Sequence, residues 1–394
     1  EFLTLNDYTF VLNKKKKVEM KPDLSHQTGQ DPHRAQIVIQ LAQNSTSYKV
    51  LLTQGGTTQT FSHASGSGAS SDNIATGLKN LIDADAKYTA TQVGGTVYIT
   101  SDNAFSVETR GGQTETAIYA ISDSISNLTL LPRQSKDGNV VKIVNSEDLD
   151  IDDMYVKFVV DGDQVFGVGS WEESTAPNLK YKFDPLTMPH ALVRQEDGKF
   201  TYEPVNWNDR LVGDDETNPE PSFVGNTISH IFFYRNRMGF LSGQNVILSR
   251  AGDLFNFWNT SALTSVNDDP IDISAAGKRP VFLHYVEPTS VGLVLYATNE
   301  QFLLATDSDI LAPTSAKVNS LSAYECDANV ESVSLGTSQA FISKTPLYTR
   351  LFELTEISSE QQPLMADISN VVPELIPQTI DTLVSSPALS VVSL

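Results

Sequence analysis

Carboxylate clusters are the residues of this chain whose types and spacing come closest to a reactive or metal-binding site. Asp148, Asp150 and Asp152 alternate with apolar residues, as the first ligands of a calcium-binding loop do. The sixth position of such a loop requires glycine but holds Asp153, and the twelfth requires glutamate but holds Val159. The spacing therefore favours a solvated acidic turn over a calcium site.

Two further clusters of acidic residues have the composition of a hydrolytic centre. They are Asp214-Asp215-Glu216 and Asp268-Asp269. Paired carboxylates perform glycoside hydrolysis and also bind divalent metals. Such pairs are common in a chain with 48 acidic residues, so we predict no catalytic residue here. A polysaccharide-degrading enzyme stays as the alternative, and it would require Asp214, Asp215 and Asp268 in one cleft.

The remaining residue types give no pattern of a cofactor or metal site. The 6 histidines do not have the spacing of zinc ligands, and phosphate-binding glycine loops and nucleophile elbows are absent from the sequence. The single cysteine, Cys326, excludes an intrachain disulfide and a cysteine metal cluster. We therefore predict that the protein has no cofactor and no metal.

Charge and length exclude other classes of protein. The chain has 394 residues, with 27 basic and 48 acidic side chains and a formal net charge of -21. Tight binding to nucleic-acid phosphates requires the opposite sign. No stretch approaches the roughly 20 apolar residues of a membrane span. The composition indicates a globular protein made in a reducing cytoplasm.

The pattern of apolar residues predicts a mainly β protein with a small inserted α+β domain. We place the first β-hairpin, in which Tyr8–Leu12 returns through Val18–Met20, and a linker at 1–35, the inserted domain at 36–130, and a larger β body at 131–394. The inserted domain is expected to contain a helix that begins near Ser71 or Asp72, with Ile74, Leu78, Leu81 and Ile82 on its apolar face.

An apolar strand, a tight polar turn and a second apolar strand recur three times in the β body. The turns are centred near Gln244, Asn299 and Thr345. This spacing is close to the roughly 40–50 residues of a β-propeller blade. We therefore predict a propeller-like antiparallel body, and a meandering β-sandwich is the alternative.

The most distinctive segment runs from Thr217 to Trp258 and is rich in aromatic residues. It begins with prolines that fix the backbone and continues through a predicted hairpin. Arg235 and Arg237 beside the aromatic run are candidates for contact with a partner or with DNA. The other interpretation is that both arginines bridge neighbouring carboxylates.

This segment resembles the tail tubular protein B family, the nozzle protein of short-tailed bacteriophages. The resemblance covers nearly the whole chain, is densest in its middle third and is weakest between 36 and 125. Its residues are Asp7–Asn13, Met154–Phe158, Trp171-Glu172, Thr187–Arg194, Asp197–Phe200, Trp207, Gly213-Asp214, Thr217–Pro219, Pro221–Gly225, Phe233–Ser242, Phe255–Trp258, Asp268–Asp272, Gln301–Leu304, Asn370–Pro373 and Ile376-Pro377.

The resemblance implies a structural protein of the virion tail without catalysis. Six copies would form a ring-shaped nozzle that extends the portal and adaptor channel and conducts the genome during ejection. The implied partners are other copies of the chain, a tail adaptor protein, tail fibres docked near the adaptor, and double-stranded DNA that passes without specific binding. It also implies that the chain is an internal portion of a longer polypeptide.

A closed ring needs interfaces between unlike surfaces, and exposed aromatic loops are suitable anchors for them. Phe223, Phe255, Phe257 and Trp258 are the aromatic candidates. They are equally consistent with an internal core. A carbohydrate-binding β module is a further alternative, motivated by the tyrosines and tryptophans.

Overall fold

The computed structural model describes residues 1–26, 31–112, 117–144, 153–355, 363–389 and 391–394. The prediction of a mainly β protein is confirmed, because antiparallel sheets dominate and the described residues contain one α-helix. Within these ranges no helix has the length and hydropathy needed to cross a bilayer.

Four sheets of four antiparallel strands form the larger part of the molecule. Sheet 1 contains Phe2–Leu5, Tyr8–Val11, His190–Arg194 and Phe200–Pro204. Sheet 2 contains His230–Tyr234, Arg237–Ser242, Asn245–Leu248 and Ile271–Ser274. Sheet 3 contains Leu283–Pro288, Leu293–Ala297, Gln301–Thr306 and Ala316–Ser322. Sheet 4 contains Val333–Ser334, Gln339–Lys344, Thr349–Thr355 and Leu364–Asp367.

The four sheets pack against one another in series. Phe240 and Ile247 of sheet 2 share a core with sheet 1, while their neighbours Leu241 and Val246 share a core with sheet 3. Sheet 3 repeats this arrangement: alternate residues of its central strands face sheet 2 and sheet 4. Sheets 2 and 3 are therefore buried on both faces.

Burial on both faces explains the continuous apolar runs in the sequence. A strand with one solvated face alternates apolar and polar residues, whereas a strand covered on both faces does not. Leu293–Ala297 is buried at every position, as is Arg237–Ser242. Such serial packing differs from a two-layer sandwich. Closure of these sheets into a propeller stays a prediction.

The first sheet joins two parts of the chain that are far apart in sequence. Tyr8–Val11 pairs with Phe2–Leu5 on one side and with His190–Arg194 on the other. We expected the first hairpin to return through Val18–Met20, and that pairing is wrong. Val18 and Met20 form isolated bridges with Val224 and Phe183 instead, because they complete the core between sheets 1 and 2.

A second group of strands is formed by the part of the chain between the first two strands of sheet 1 and its last two strands. One four-stranded sheet contains Thr89–Val93, Thr96–Thr100, Arg34–Ile39 and Ile118–Ile121. A three-stranded sheet contains Thr57–Ala64, Ser47–Gln54 and Phe105–Gly111. A five-stranded sheet contains Ser124–Ile125, Val140–Ile143, Met154–Val160, Phe166–Ser174 and Gln134–Lys136. Domain boundaries at 36 and 130 stay a prediction.

The predicted helix is present as Ser71–Asp83 and packs on these sheets. Its N-cap is Ser70, whose side chain accepts a hydrogen bond from the backbone N–H of Asn73 at 3.2 Å. Ile74, Leu78 and Ile82 are buried as expected. Leu81 is exposed, so its place in the apolar face was predicted wrongly.

Three 3₁₀ turns and a terminal hairpin complete the described structure. The turns are Leu128–Leu130, Pro373–Leu375 and Pro387–Leu389, and the hairpin strands are Val384–Ser386 and Val391–Ser393. Ile380, Leu383 and Val392 pack on sheet 4. This hairpin continues the series of stacked layers beyond sheet 4.

Candidate functional site

The aromatic residues that we considered as interface anchors lie inside the chain. Phe223, Phe257 and Trp258 are 0%, 3% and 1% exposed. Phe223 packs edge-on against Phe257 and Phe240, with ring centroids 5.3 and 5.5 Å away. Buried side chains cannot contact a partner, so the interface interpretation of these three residues is wrong. Their common role is to fill the core between sheets 1 and 2.

Arg237 is also internal, with 1% of its surface exposed. Its guanidinium donates to five backbone carbonyls at 2.7–3.2 Å. They belong to Ser249, Asn267, Asp268, Asp269 and Leu311. Burial lowers the pKa of Arg237, and the nearby charges of Asp268 and Asp269 act against that shift. Arg237 thus connects a strand of sheet 2 to the loop at 267–269 and to Leu311, in the loop between the last two strands of sheet 3. The interpretation of Arg237 as a partner contact is therefore wrong.

Arg235 is the sequence-predicted interface residue that remains on the surface. It forms the hairpin turn with Asn236, and both residues have left-handed backbones, with φ of 47° and 60°. The Arg235 guanidinium lies 5.6 Å from the ring centroid of Tyr234. Phe233 on the same strand is 42% exposed. We call these three residues, Phe233, Tyr234 and Arg235, the hairpin-tip patch.

Phe255 occupies an intermediate position. It is partly buried and packs against the core of sheets 1 and 2. Its ring centroid lies 6.1 Å from that of Tyr8 and 5.8 Å from that of Trp207. These contacts lie within the chain, and a role of Phe255 at an interface stays a prediction.

The carboxylates of the hydrolase alternative are engaged in local structure. Oδ1 of Asp214 accepts hydrogen bonds from the backbone N–H groups of Glu216 and Thr217 and from the Thr217 hydroxyl. Burial acts to raise the pKa of Asp214, but these hydrogen bonds outweigh it and the pKa is lowered. Asp215 pairs with buried Arg210 at 3.1 Å. The lowered pKa of Asp214 is the opposite of what a general acid requires.

The second carboxylate pair has a similar structural role. Asp269 is 1% exposed and accepts hydrogen bonds from Thr260 and from the backbone N–H of Val266.

The acidic turn at 148–152 lies outside the described residues. Its neighbour Asp153 forms an ion pair with Lys142 at 2.6 Å.

The tryptophans do not form a glycan-stacking platform on the surface. Trp207 and Trp258 are buried, and Trp171 is partly buried against Phe158, 5.1 Å between ring centroids. The Trp171 indole N–H donates to the Pro132 carbonyl at 2.8 Å. Core packing thus explains the tryptophans, which were one of the two residue types that motivated a carbohydrate-binding module.

A cluster of ionisable residues lies where the first strands of the sheets approach one another. The sequence analysis did not predict this cluster. The edge strands of sheets 1, 2 and 3 lie next to each other. Glu1, His230, Glu287 and Glu331 are located here, and we call them the edge cluster. Burial, together with the charge of Glu331, raises the pKa of Glu287 to about 7. These residues come from segments up to 330 positions apart, so no local spacing pointed to them.

We expect Glu287 to make the stability of the protein depend on pH. The pKa of Glu287 is raised in the folded state, so the folded state binds its proton more tightly than the unfolded state. Its stabilising contribution is complete below pH ~4.5 and is lost as the pH rises through about 7. Substitution Glu287→Gln should therefore become more stabilising, relative to wild type, between pH 5 and pH 8 by about 1–2 kcal/mol after allowance for solvent screening.

Urea unfolding of both proteins at several pH values in a buffer with a metal chelator measures this difference. Glu325→Gln is the control, because Glu325 is exposed. A stability difference between Glu287→Gln and wild type that does not change with pH would contradict the expectation.

Comparison with known proteins identifies the family. The sequence pattern of the family described as bacteriophage nozzle protein matches residues 1–394. The tail tubular protein gp12 of Escherichia phage T7 is 32% identical to this chain over 298 residues. The aligned part is 74% of this chain and 36% of the T7 protein, so the chain spans about a third of that relative. The chain therefore belongs to the bacteriophage nozzle protein family, whose members are structural components of the virion tail.

Proposed function

We propose that this chain forms part of the wall of a ring-shaped tail nozzle and has no catalytic activity. Family membership is the observation that carries the proposal. The ring would contain six copies, continue the channel of the portal and adaptor, and conduct the genome during ejection. Tail fibres would dock near the junction with the adaptor.

The packing of the sheets supports a mechanical role. Each of sheets 2 and 3 is covered on both faces, and Arg237 joins them with hydrogen bonds to backbone carbonyls. Closely packed interiors have low compressibility and transmit force instead of yielding to it. A wall of this kind suits a conduit that must keep its shape while DNA moves through it.

The net charge supports passage of DNA without retention. With a net charge of -21 the protein repels phosphates, because its 48 acidic side chains outnumber its 27 basic ones. The lysines of the run Lys14–Lys17 are already counted among the 27 basic residues, so this run does not reverse the net charge. One of them, Lys14, pairs with Glu1 at 2.5 Å. DNA would thus pass the wall without specific binding.

We place one contact between subunits at the hairpin-tip patch. Exposed aromatic and arginine side chains are enriched in protein interfaces. An exposed arginine also complements the acidic surface that a neighbouring copy presents.

Mass photometry of the protein mixed with its tail adaptor protein tests the proposal. We expect rings whose abundance increases with concentration. Substitution Arg235→Glu should raise the concentration for half-assembly at least about tenfold, the effect of 1.4 kcal/mol, with unfolding free energy unchanged within ~0.5 kcal/mol. Arg279→Glu makes the same charge change at another exposed site and should assemble normally.

Two outcomes would count against these proposals in different ways. Monomers at every concentration, with the adaptor present, would reject the ring. Rings that form equally well with Arg235→Glu and with Arg279→Glu would retain the nozzle role and reject the hairpin-tip patch as its interface.

A further inference from the structure

Part of the edge cluster has the composition of a metal-ligand set. Nδ1 of His230 lies 2.7 Å from Oε1 of Glu1 and 3.9 Å from Oε1 of Glu331. The three ligand atoms all lie within 4.8 Å of one another. Among the residues that the structure describes, no other group of three histidine, cysteine or carboxylate side chains is as close.

His230 is the member that needs a further partner. It is 8% exposed, and Nδ1 is buried without a hydrogen bond although the Glu1 carboxylate is near. Burial of a polar nitrogen without a hydrogen bond destabilises the folded state. A coordinated cation would satisfy this nitrogen and would offset the charge of both carboxylates.

Glu1 is ready to act as an anionic ligand. The Lys14 ammonium lies 2.5 Å from Oε2 of Glu1, whereas Oε1 is the oxygen that faces His230. An ion pair on the outer oxygen orients a ligating carboxylate in the way that second partners do at metal sites.

We propose that Glu1, His230 and Glu331 form a zinc site of structural function. One imidazole nitrogen with two carboxylate oxygens suits Zn²⁺, whereas Mg²⁺ and Ca²⁺ prefer sites made of oxygen alone. Zinc bonds of about 2.0–2.2 Å place tetrahedral ligand atoms roughly 3.3 Å apart. The separations of His230 Nδ1 from the two carboxylate oxygens, 2.7 and 3.9 Å, differ from that value by well under 1 Å, and the two oxygens lie within 4.8 Å of each other. The side chain of Glu331 is 60% exposed and is free to turn towards the ion.

The position of the site explains what a bound ion would do. Glu1 precedes the first strand of sheet 1, His230 begins sheet 2, and Glu331 precedes the first strand of sheet 4. The unfolded chain does not hold these residues together, so zinc would bind the folded state selectively and stabilise it. The ion would tie three separate sheets at their common edge.

Isothermal titration of the chelator-treated protein with ZnCl₂ tests the site, and Co²⁺ serves as a spectroscopic probe of the ligands. We expect one equivalent of zinc to bind and to raise Tm by at least about 3 °C at saturating zinc. Glu331→Gln should weaken zinc binding at least tenfold without loss of the fold, because Glu331 is exposed. His230→Gln should abolish both zinc binding and the visible Co²⁺ bands. Glu325→Gln is an exposed glutamate in the same loop and should bind zinc as wild type does.

The outcomes separate a built site from a chance one. Equal zinc affinity in wild type and Glu331→Gln would assign the ion to another histidine, as an adventitious ion only, and would overturn the proposal. The absence of binding at 100 times the concentration of the protein would overturn it as well. None of these measurements requires assembly, so a failure here is distinct from a failure of the nozzle proposal.

Discussion

Substitution of Arg237 by methionine is expected to lower the free energy of unfolding by about 3–5 kcal/mol. The side chain donates to five backbone carbonyls, of which that of Asp268 also accepts a hydrogen bond from the backbone N–H of Ala251 at 2.9 Å. Methionine fills much of the volume but leaves the carbonyls without that donor. The stability lost is therefore mainly the cost of unsatisfied polar groups rather than the cost of a cavity.

Two further substitutions separate charge from geometry. Arg237→Lys keeps the positive charge, but an ammonium has three donors and cannot reproduce the planar fork. Arg237→Lys should recover part of the lost free energy of unfolding, which should remain about 2 kcal/mol below that of wild type. Arg235→Met removes the exposed arginine of the same hairpin and should change stability by no more than ~0.5 kcal/mol.

Equilibrium unfolding in urea, followed by tryptophan fluorescence, measures these changes. Trp207 and Trp258 lie in the core that adjoins the Arg237 strand, so their emission reports its loss. Equal stability of Arg237→Met and Arg235→Met would show that the carbonyl contacts contribute nothing measurable.

Local sequence patterns predicted the central hairpins of sheets 2, 3 and 4. The turns expected near Gln244, Asn299 and Thr345 connect paired strands in the structure. Hairpins depend on neighbouring residues, and a short polar turn between apolar runs determines their register. This part of the fold is therefore accessible from the sequence alone.

The partners of the first strands were not accessible in the same way. Phe10 pairs with Leu3 and with Ala191, and the second of these pairs joins residues 181 positions apart. The apolar pattern of Tyr8–Val11 shows that this strand must be covered, but not by which segment. The hairpin with Val18–Met20 was the nearest candidate, and tertiary packing provided other partners.

The candidate interface residues are divided between the surface and the core, and the sequence pattern did not predict this division. Arg235 and Arg237 have the same residue type and are two positions apart, yet one is exposed and the other is buried. In a strand these positions point to the same face, but Arg235 belongs to the turn, where the alternation does not apply. The aromatic residues could not be sorted by pattern either, because loops that cover a core and loops that anchor a partner have similar composition.

The edge cluster shows a different limit of prediction from sequence. Metal motifs are recognised when ligands lie close together in one helix or loop. Glu1, His230 and Glu331 come from separate sheets, and their proximity is produced by the stacking of these sheets. Our sequence-based expectation of no metal rested on local spacing, which carries no information about such a site.

Substitution of Phe223 by alanine is expected to lower the free energy of unfolding by about 3–5 kcal/mol while leaving assembly intact. The ring is 0% exposed and touches Phe183, Phe240 and Phe257, with centroids 5.3–5.5 Å away. Its removal leaves a cavity that the neighbouring strands of sheet 2 cannot fill without losing their register. Phe223→Ala should therefore unfold at lower urea concentration but form rings normally at a temperature where it remains folded.

Phe233→Ala is the matched control, since the same side chain is removed from a site that is 42% exposed. It should change stability by less than about 1 kcal/mol, because little buried area is lost. Since Phe233 belongs to the hairpin-tip patch, it should instead raise the concentration for half-assembly. The two phenylalanines would then have opposite effects in urea unfolding and in mass photometry. The reverse result, with assembly lost in Phe223→Ala and unchanged in Phe233→Ala, would require Phe223 to leave the core in the ring and would contradict a rigid wall.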